Sequence, residues 1–245
     1  MKRIRRFVLG VVVVVGMAGL GLIAWGNDAY PPLQPALDAL QSDSQVTVTE
    51  QDGFITFEPA GVEAATGFIL YPGGRVDYRV YAPVLRQVAA RGFFVAVVKV
   101  RINLAFFDLN AADRVISTYP AIQNWAIGGH SLGGVAASSY VSNHRDQVAG
   151  LVLWASYPAD DSLAGTSLKV LSIYGTNDMA GMEPFDKSRA QLPVDTQYIV
   201  IDGGNHAQFG SYGPQQGDNP AAISAEAQWT QITDATVRLL EAVNQ

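Results

Sequence analysis

Ser131 stands at the centre of Gly129-His130-Ser131-Leu132-Gly133, a G-x-S-x-G pentapeptide. The pattern is a piece of geometry. A serine on a very tight strand-to-helix turn has its hydroxyl pushed out above a sheet edge, where a base and a substrate can reach it. Glycines two before and two after it remove Cβ atoms that would collide in such a turn. The flanks agree. Trp125-Ala126-Ile127-Gly128 reads as a short buried strand, and Val135 to Val141 as a helix of small residues able to pack close to a sheet.

A serine hydroxyl needs an adjacent base, itself oriented by a third group. The chain has three histidines. His130 is locked beside the serine in a turn whose neighbouring side chains diverge. His144 ends the following helix and suits a C-terminal cap. His206 follows an apolar run in Asp202-Gly203-Gly204-Asn205-His206-Ala207, which puts it on a loop at a strand's carboxyl end. For the orienting acid, Asp178 follows Lys169–Tyr174 through Gly175-Thr176-Asn177, a turn that sets a carboxylate at the sheet edge. Asp160 and Asp161 are its rivals on the preceding loop. Acyl transfer also builds negative charge on a carbonyl oxygen, which two backbone N–H groups normally receive. Leu132, first in the new helix, is one candidate. Gly74 in Pro72-Gly73-Gly74 is the other, with Gly73 and Arg75 as its neighbours and alternatives.

The elements that must carry these residues follow from the hydrophobic pattern. Gly67–Tyr71 reads as a buried strand, Phe93–Val100 as a continuous apolar one apart from Lys99, and Gly150–Ala155, Lys169–Tyr174 and Gln197–Ile201 as further strands. Helical patterns at Tyr81–Arg91, Ala111–Tyr119 and Gln228–Val243 alternate with them. Val46–Glu50 and Phe54–Phe57, across Gln51-Asp52-Gly53, predict a hairpin. This is an α/β domain with a mostly parallel sheet of about seven or eight strands and helices on both faces. Reactive groups in such sheets collect at the carboxyl ends of strands.

Here the chain resembles the α/β-hydrolase fold family over roughly residues 45–243, on Pro72-Gly73-Gly74, the G-x-S-x-G pentapeptide and the Asp178 and His206 turns. The order Ser131, Asp178, His206 is that of hydrolases using this turn. More narrowly, Pro72-Gly73-Gly74 and Asn205-His206-Ala207-Gln208-Phe209-Gly210 are similar to small single-domain bacterial members related to dienelactone hydrolases. Those enzymes use a cysteine, and this chain has none. The resemblance therefore implies a serine hydrolase of carboxylic esters with a Ser131–His206–Asp178 triad and no cofactor. An acyltransferase would use the same residues, and a binding module that kept the fold would need none of them.

Twelve residues from Ser156 to Ser167 leave no room for an inserted lid. An open site and a small or short-chain ester are expected, with Phe106, Tyr157 and Phe209 as candidate pocket residues. Trp154 reads as core. Arg75 and Asp77 are expected to pair with each other. The formal charge of −6 argues against nucleic acid as a partner.

The N-terminus is a separate object. Lys2, Arg3, Arg5 and Arg6 precede an uncharged run from Phe7 to Trp25, close to the ~20 residues that cross a bilayer. The reading is a membrane anchor or signal peptide over 1–26, a proline-stiffened spacer over 27–44 and the catalytic domain over 45–245. The basic cluster would keep its side cytoplasmic and place the domain outside. Ala24-Trp25-Gly26 is a weak cleavage site, so a secreted form stays open.

Overall fold

The computed structural model describes the backbone of residues 2–244 and the side chains of residues 14–244. In chain order the elements are α1 (Lys2–Asn27), α2 (Gln34–Ala39), β1 (Val46–Gln51), β2 (Phe54–Pro59), β3 (Thr66–Tyr71), α3 (Ala82–Ala89), β4 (Phe94–Val98) and α4 (Ala112–Thr118). They continue with β5 (Asn124–His130), α5 (Leu132–Asn143), β6 (Gly150–Trp154), β7 (Lys169–Gly175), α6 (Glu183–Ser188), β8 (Gln197–Ile201) and α7 (Ala225–Val243).

The strands form one eight-stranded sheet in the order β1-β2-β4-β3-β5-β6-β7-β8. β1 pairs antiparallel with β2 as the expected hairpin, and β2 antiparallel with β4. Every other pairing is parallel. Alternate residues of each buried strand feed opposite faces, as the two-residue period requires. Phe68, Leu70, Val95, Val97, Val152 and Trp154 meet α3 and α7 in one core. Ile69, Tyr71, Ala96, Ile127, Leu151 and Leu153 meet α4 and α5 in the other. Because both faces are covered there, β3, β4 and β6 read as continuous apolar runs, while the edge strands β1 and β8 stay partly exposed. No helix interrupts the chain between β6 and β7, so no cap domain stands there.

The expected membrane span from Phe7 to Trp25 is not found among the described residues, where no helix is long and apolar enough to cross a membrane. Lys2, Arg3, Arg5, Arg6 and the first half of the run lie outside the described side chains. The end of the run is instead engaged by the domain, where Arg75 Nε donates to Trp25 O at 2.9 Å and Asn103 Nδ2 to Gly26 O at 3.2 Å. The segment after α1 lies on the domain. Tyr30 N donates to Arg75 O at 2.8 Å, Asp77 N to Tyr30 O at 3.1 Å, and Leu33 N to Ser211 O at 2.8 Å.

Arg75 and Asp77 do not pair with each other. Asp77 caps the single 3₁₀ turn Tyr78–Tyr81 by accepting from Arg79 N, which brings the Arg79 guanidinium to it at 2.6 Å. Arg75, at φ 56°, turns instead to Asp28 at 2.8 Å and lies over the Trp25 ring.

Candidate active site

Ser131 joins β5 to α5 at φ 52°, ψ −124°. A non-glycine residue held there costs of order 1–3 kcal/mol, so its surroundings must enforce it. They do so through the backbone. Ser131 N donates to Trp154 O at 2.9 Å, Gly134 N donates to Ser131 O at 3.0 Å, and Ser156 Oγ donates to the same carbonyl at 2.6 Å. The two motif glycines are sterically obligatory. A Cβ on Gly129 would overlap the Gly133 backbone, and one on Gly133 the carbonyls of Tyr71 and Pro72.

β7 and β8 end side by side, with Gly175 opposite Ile201. Their loops bring Asp178 and His206 together: Asp178 Oδ2 lies 2.9 Å from His206 Nδ1, and both residues are buried. Asp178 Oδ1 accepts from Ala180 N at 2.9 Å, so the carboxylate is gripped at both oxygens. A carboxylate can only accept, hence His206 Nδ1 carries a proton, which in the neutral ring leaves Nε2 bare. The loop bearing His206 is itself fixed. Asp218 accepts from Ala207 N at 2.8 Å and from His206 N at 3.4 Å. Gln228, fully buried, clamps Asn205 by accepting from its N at 3.1 Å and donating to its O at 2.8 Å. The rival acids Asp160 and Asp161 lie exposed, Asp160 accepting from Ser162 N.

Ser131 and His206 line the same cavity of about 360 Å³, together with Leu132, Val135, Ala155, Ser156, Tyr157, Met179, Ala180 and Gln215. Among the described residues no hydrogen bond yet joins Ser131 to the His206 ring. Such bonds are commonly long before substrate binds and tighten in the complex.

Of the backbone amides weighed as oxyanion donors, two are already engaged. Gly73 N is engaged by Tyr81 Oη at 2.8 Å, and Arg75 N by Asn103 O at 2.8 Å. Gly74 N, between them, has no acceptor among the described residues. Leu132 N is one of the orphan donors that open every helix. The two residues touch: a Cβ on Gly74 would lie 2.9 Å from Leu132 Cδ2.

Of the three expected pocket residues, Tyr157 lines the cavity and Phe106 does not, standing half-exposed outside it. Phe209 is a correction. It is fully buried, stacked on the His130 ring at 5.5 Å and packed near Trp154, because its short 3₁₀ turn points it inward beneath the His206 loop. Sequence reasoning also missed Tyr81, Asp218, Gln228 and Ser156. Tyr81 reaches His130 49 residues away, and the other three act through contacts 11 to 25 residues away, for which spacing gives no signal. The turn predicts a His130 side chain diverging from the site, yet its ring centroid lies 4.6 Å from that of His206.

Burial, and then the neighbouring His206, push His130 well below the usual histidine value of 6.5; the His206 backbone opposes them weakly. The folded state therefore binds fewer protons than the unfolded one below about pH 6.5, and stability falls as pH is lowered through that value. The slope approaches about 1.4 kcal/mol per pH unit for one proton. Urea unfolding between pH 7.5 and 5 should show this loss, and His130→Asn should flatten it. An equal slope in both proteins would contradict a neutral His130.

Residues 67–230 match the sequence profile of the alpha/beta hydrolase family. The chain belongs to that family. No curated protein matches it at the sequence level. Among solved structures, Est1E from Butyrivibrio proteoclasticus superposes with a TM-score of 0.59 at 13% identity, covering 81% of this chain and 100% of its own. Apo esterase 2 from Thermogutta terrifontis gives 0.56 at 15%, covering 87% and 97%. The same esterase phosphonylated by cyclosarin gives 0.53 at 14%, covering 80% and 93%. At these identities the likeness is one of fold.

Proposed function

We propose that this α/β hydrolase cleaves carboxylic esters through an acyl-enzyme on Ser131. The observation that carries the reading is the strained Ser131 backbone at the wall of a cavity that His206 also lines. Ser131 Oγ attacks the ester carbonyl while His206 Nε2 takes its proton. The oxyanion rests between Gly74 N–H and Leu132 N–H. Collapse breaks the ester C–O bond, and the leaving alcohol takes the proton back from His206. Water then attacks the acyl-serine by the same route, releasing the acid. Asp178 holds the ring in the Nδ1–H tautomer throughout. That a similarly folded enzyme is an esterase phosphonylated by cyclosarin supports this chemistry.

The cavity sits at the lower end of the ~300–1,000 Å³ range of ligand sites and has no cap, which favours small or short-chain esters. With p-nitrophenyl esters, kcat/KM is expected to peak between acetate and butyrate and to fall at least about tenfold by decanoate, since a misfitted methylene is worth ~1–3 kcal/mol. A maximum at decanoate would contradict the short-chain reading.

The extracytoplasmic location is proposed on the basic cluster and uncharged run of residues 2–25 alone. Protease digestion of the domain in intact cells would support it, and protection until lysis would oppose it.

A further inference from the structure

His130 precedes the nucleophile, and no step above uses it. Its hydrogen bonding is determined by proton count. Gly73 N donates to Tyr81 Oη at 2.8 Å, which occupies the hydroxyl as an acceptor. The single hydroxyl proton then needs an acceptor of its own, and His130 Nδ1 lies 2.9 Å away. Tyr81 and His130 are both fully buried, so solvent offers no alternative. Burial also keeps the Tyr81 hydroxyl protonated by pushing its pKa well up. Nδ1 is therefore bare, and the neutral ring carries its proton on Nε2.

That Nε2–H is buried and makes no well-formed hydrogen bond, the His206 backbone giving it only a weak contact. A buried donor without a partner is costly and is kept only where the surroundings require the ring. The ring is packed between the two halves of the site. The His206 ring meets it at 4.6 Å, and Phe209, three residues on, stacks on it at 5.5 Å. On the other side, a Cβ on Gly73 would lie 2.9 Å from His130 Nδ1 and 3.1 Å from Tyr81 Oη. The glycine is thus what lets the ring and hydroxyl approach the turn.

We infer that Tyr81 and the Nε2–H tautomer of His130 are positioning residues that lock the oxyanion turn Gly73-Gly74 to the loop bearing His206. The inference rests on the ester-hydrolase reading for its consequence, because the turn matters through Gly74 N–H. The chain runs Gly73 N–H to Tyr81 O–H to His130 Nδ1, and the ring then packs on His206. Three loops from β3, β5 and β8 are held as one piece around Ser131, which is the preorganisation that makes oxyanion donors effective.

Tyr81→Phe removes the hydroxyl and keeps the ring. The expected kcat is about 10- to 100-fold lower with KM within about twofold, less than the ~10²–10³ of losing an oxyanion donor outright. Exchange of the Gly73 amide hydrogen should quicken at least about tenfold as its acceptor disappears. In ¹⁵N spectra the parent's His130 should show a bare Nδ1 and a protonated Nε2, a signature that Tyr81→Phe abolishes. His130→Asn keeps an acceptor near Nδ1 and should retain most of kcat, whereas His130→Phe should lose as much as Tyr81→Phe. Combining Tyr81→Phe with His130→Phe should cost little more than either alone, as members of one unit do. Circular dichroism and thermal midpoints establish that each variant is folded at the assay temperature. Parental kcat and parental Gly73 exchange in Tyr81→Phe would overturn the inference, as would a proton on His130 Nδ1 in the parent. If the parent hydrolyses no ester, the ester-hydrolase reading falls, and the exchange and tautomer measurements still decide the pin.

Discussion

Ser131→Ala should abolish ester hydrolysis while leaving the fold intact. The expected loss in kcat is about 10⁴- to 10⁶-fold, down to what the oxyanion donors and binding alone provide. The variant keeps a Cβ, so residue 131 stays in the same strained conformation at φ 52° and the turn gains no freedom. Ser131→Gly separates chemistry from strain. It should be equally inactive yet unfold at a higher temperature, because glycine tolerates this backbone conformation without the ~1–3 kcal/mol of strain. Steady-state rates with p-nitrophenyl butyrate and thermal unfolding check both. A Ser131→Ala protein retaining a tenth of parental activity would exclude Ser131 as the nucleophile.

Asp178→Asn should cost about 10⁴-fold in kcat with KM nearly unchanged, by imposing the wrong tautomer. The local hydrogen bonds fix the direction of the effect. Ala180 N donates to Oδ1, so the asparagine will keep its carbonyl oxygen there and turn its NH₂ toward His206. Nδ1 must then accept, the ring proton moves to Nε2, and the base can no longer take the Ser131 proton. The buried pair would keep its shape, and the fold with it. Retention of more than about a hundredth of parental kcat would give the orienting role to another group, with Asp218, two hydrogen bonds behind the His206 loop, the first to examine.

Much of this architecture is legible in the sequence because one physical constraint dominates it. A parallel sheet covered on both faces demands unbroken apolar strands, and Gly67–Tyr71 and Gly150–Trp154 read that way and lie fully buried. Ser131 and Asp178 stand out because each follows a buried strand through a turn of small residues, and His206 because it follows the apolar end of the edge strand β8 in the same way. What escapes is set by contacts between distant segments. Phe209 looks like a pocket aromatic from its neighbours, yet the His130 ring waiting beneath it makes it core. Arg75 and Asp77 look like a pair until a 3₁₀ turn gives Asp77 to Arg79. α6 is too short, at six residues, to show a helical period. The local geometry of its turn gives His130 no role, because it says nothing of Tyr81, 49 residues earlier.

An activated serine at residue 131 should react covalently with a fluorophosphonate probe. The protein should be labelled at one site, with the adduct mapped by mass spectrometry to the peptide carrying Ser131, and Ser131→Ala should take up no label. A folded protein that stays unlabelled, or one labelled on a different residue, would contradict the account.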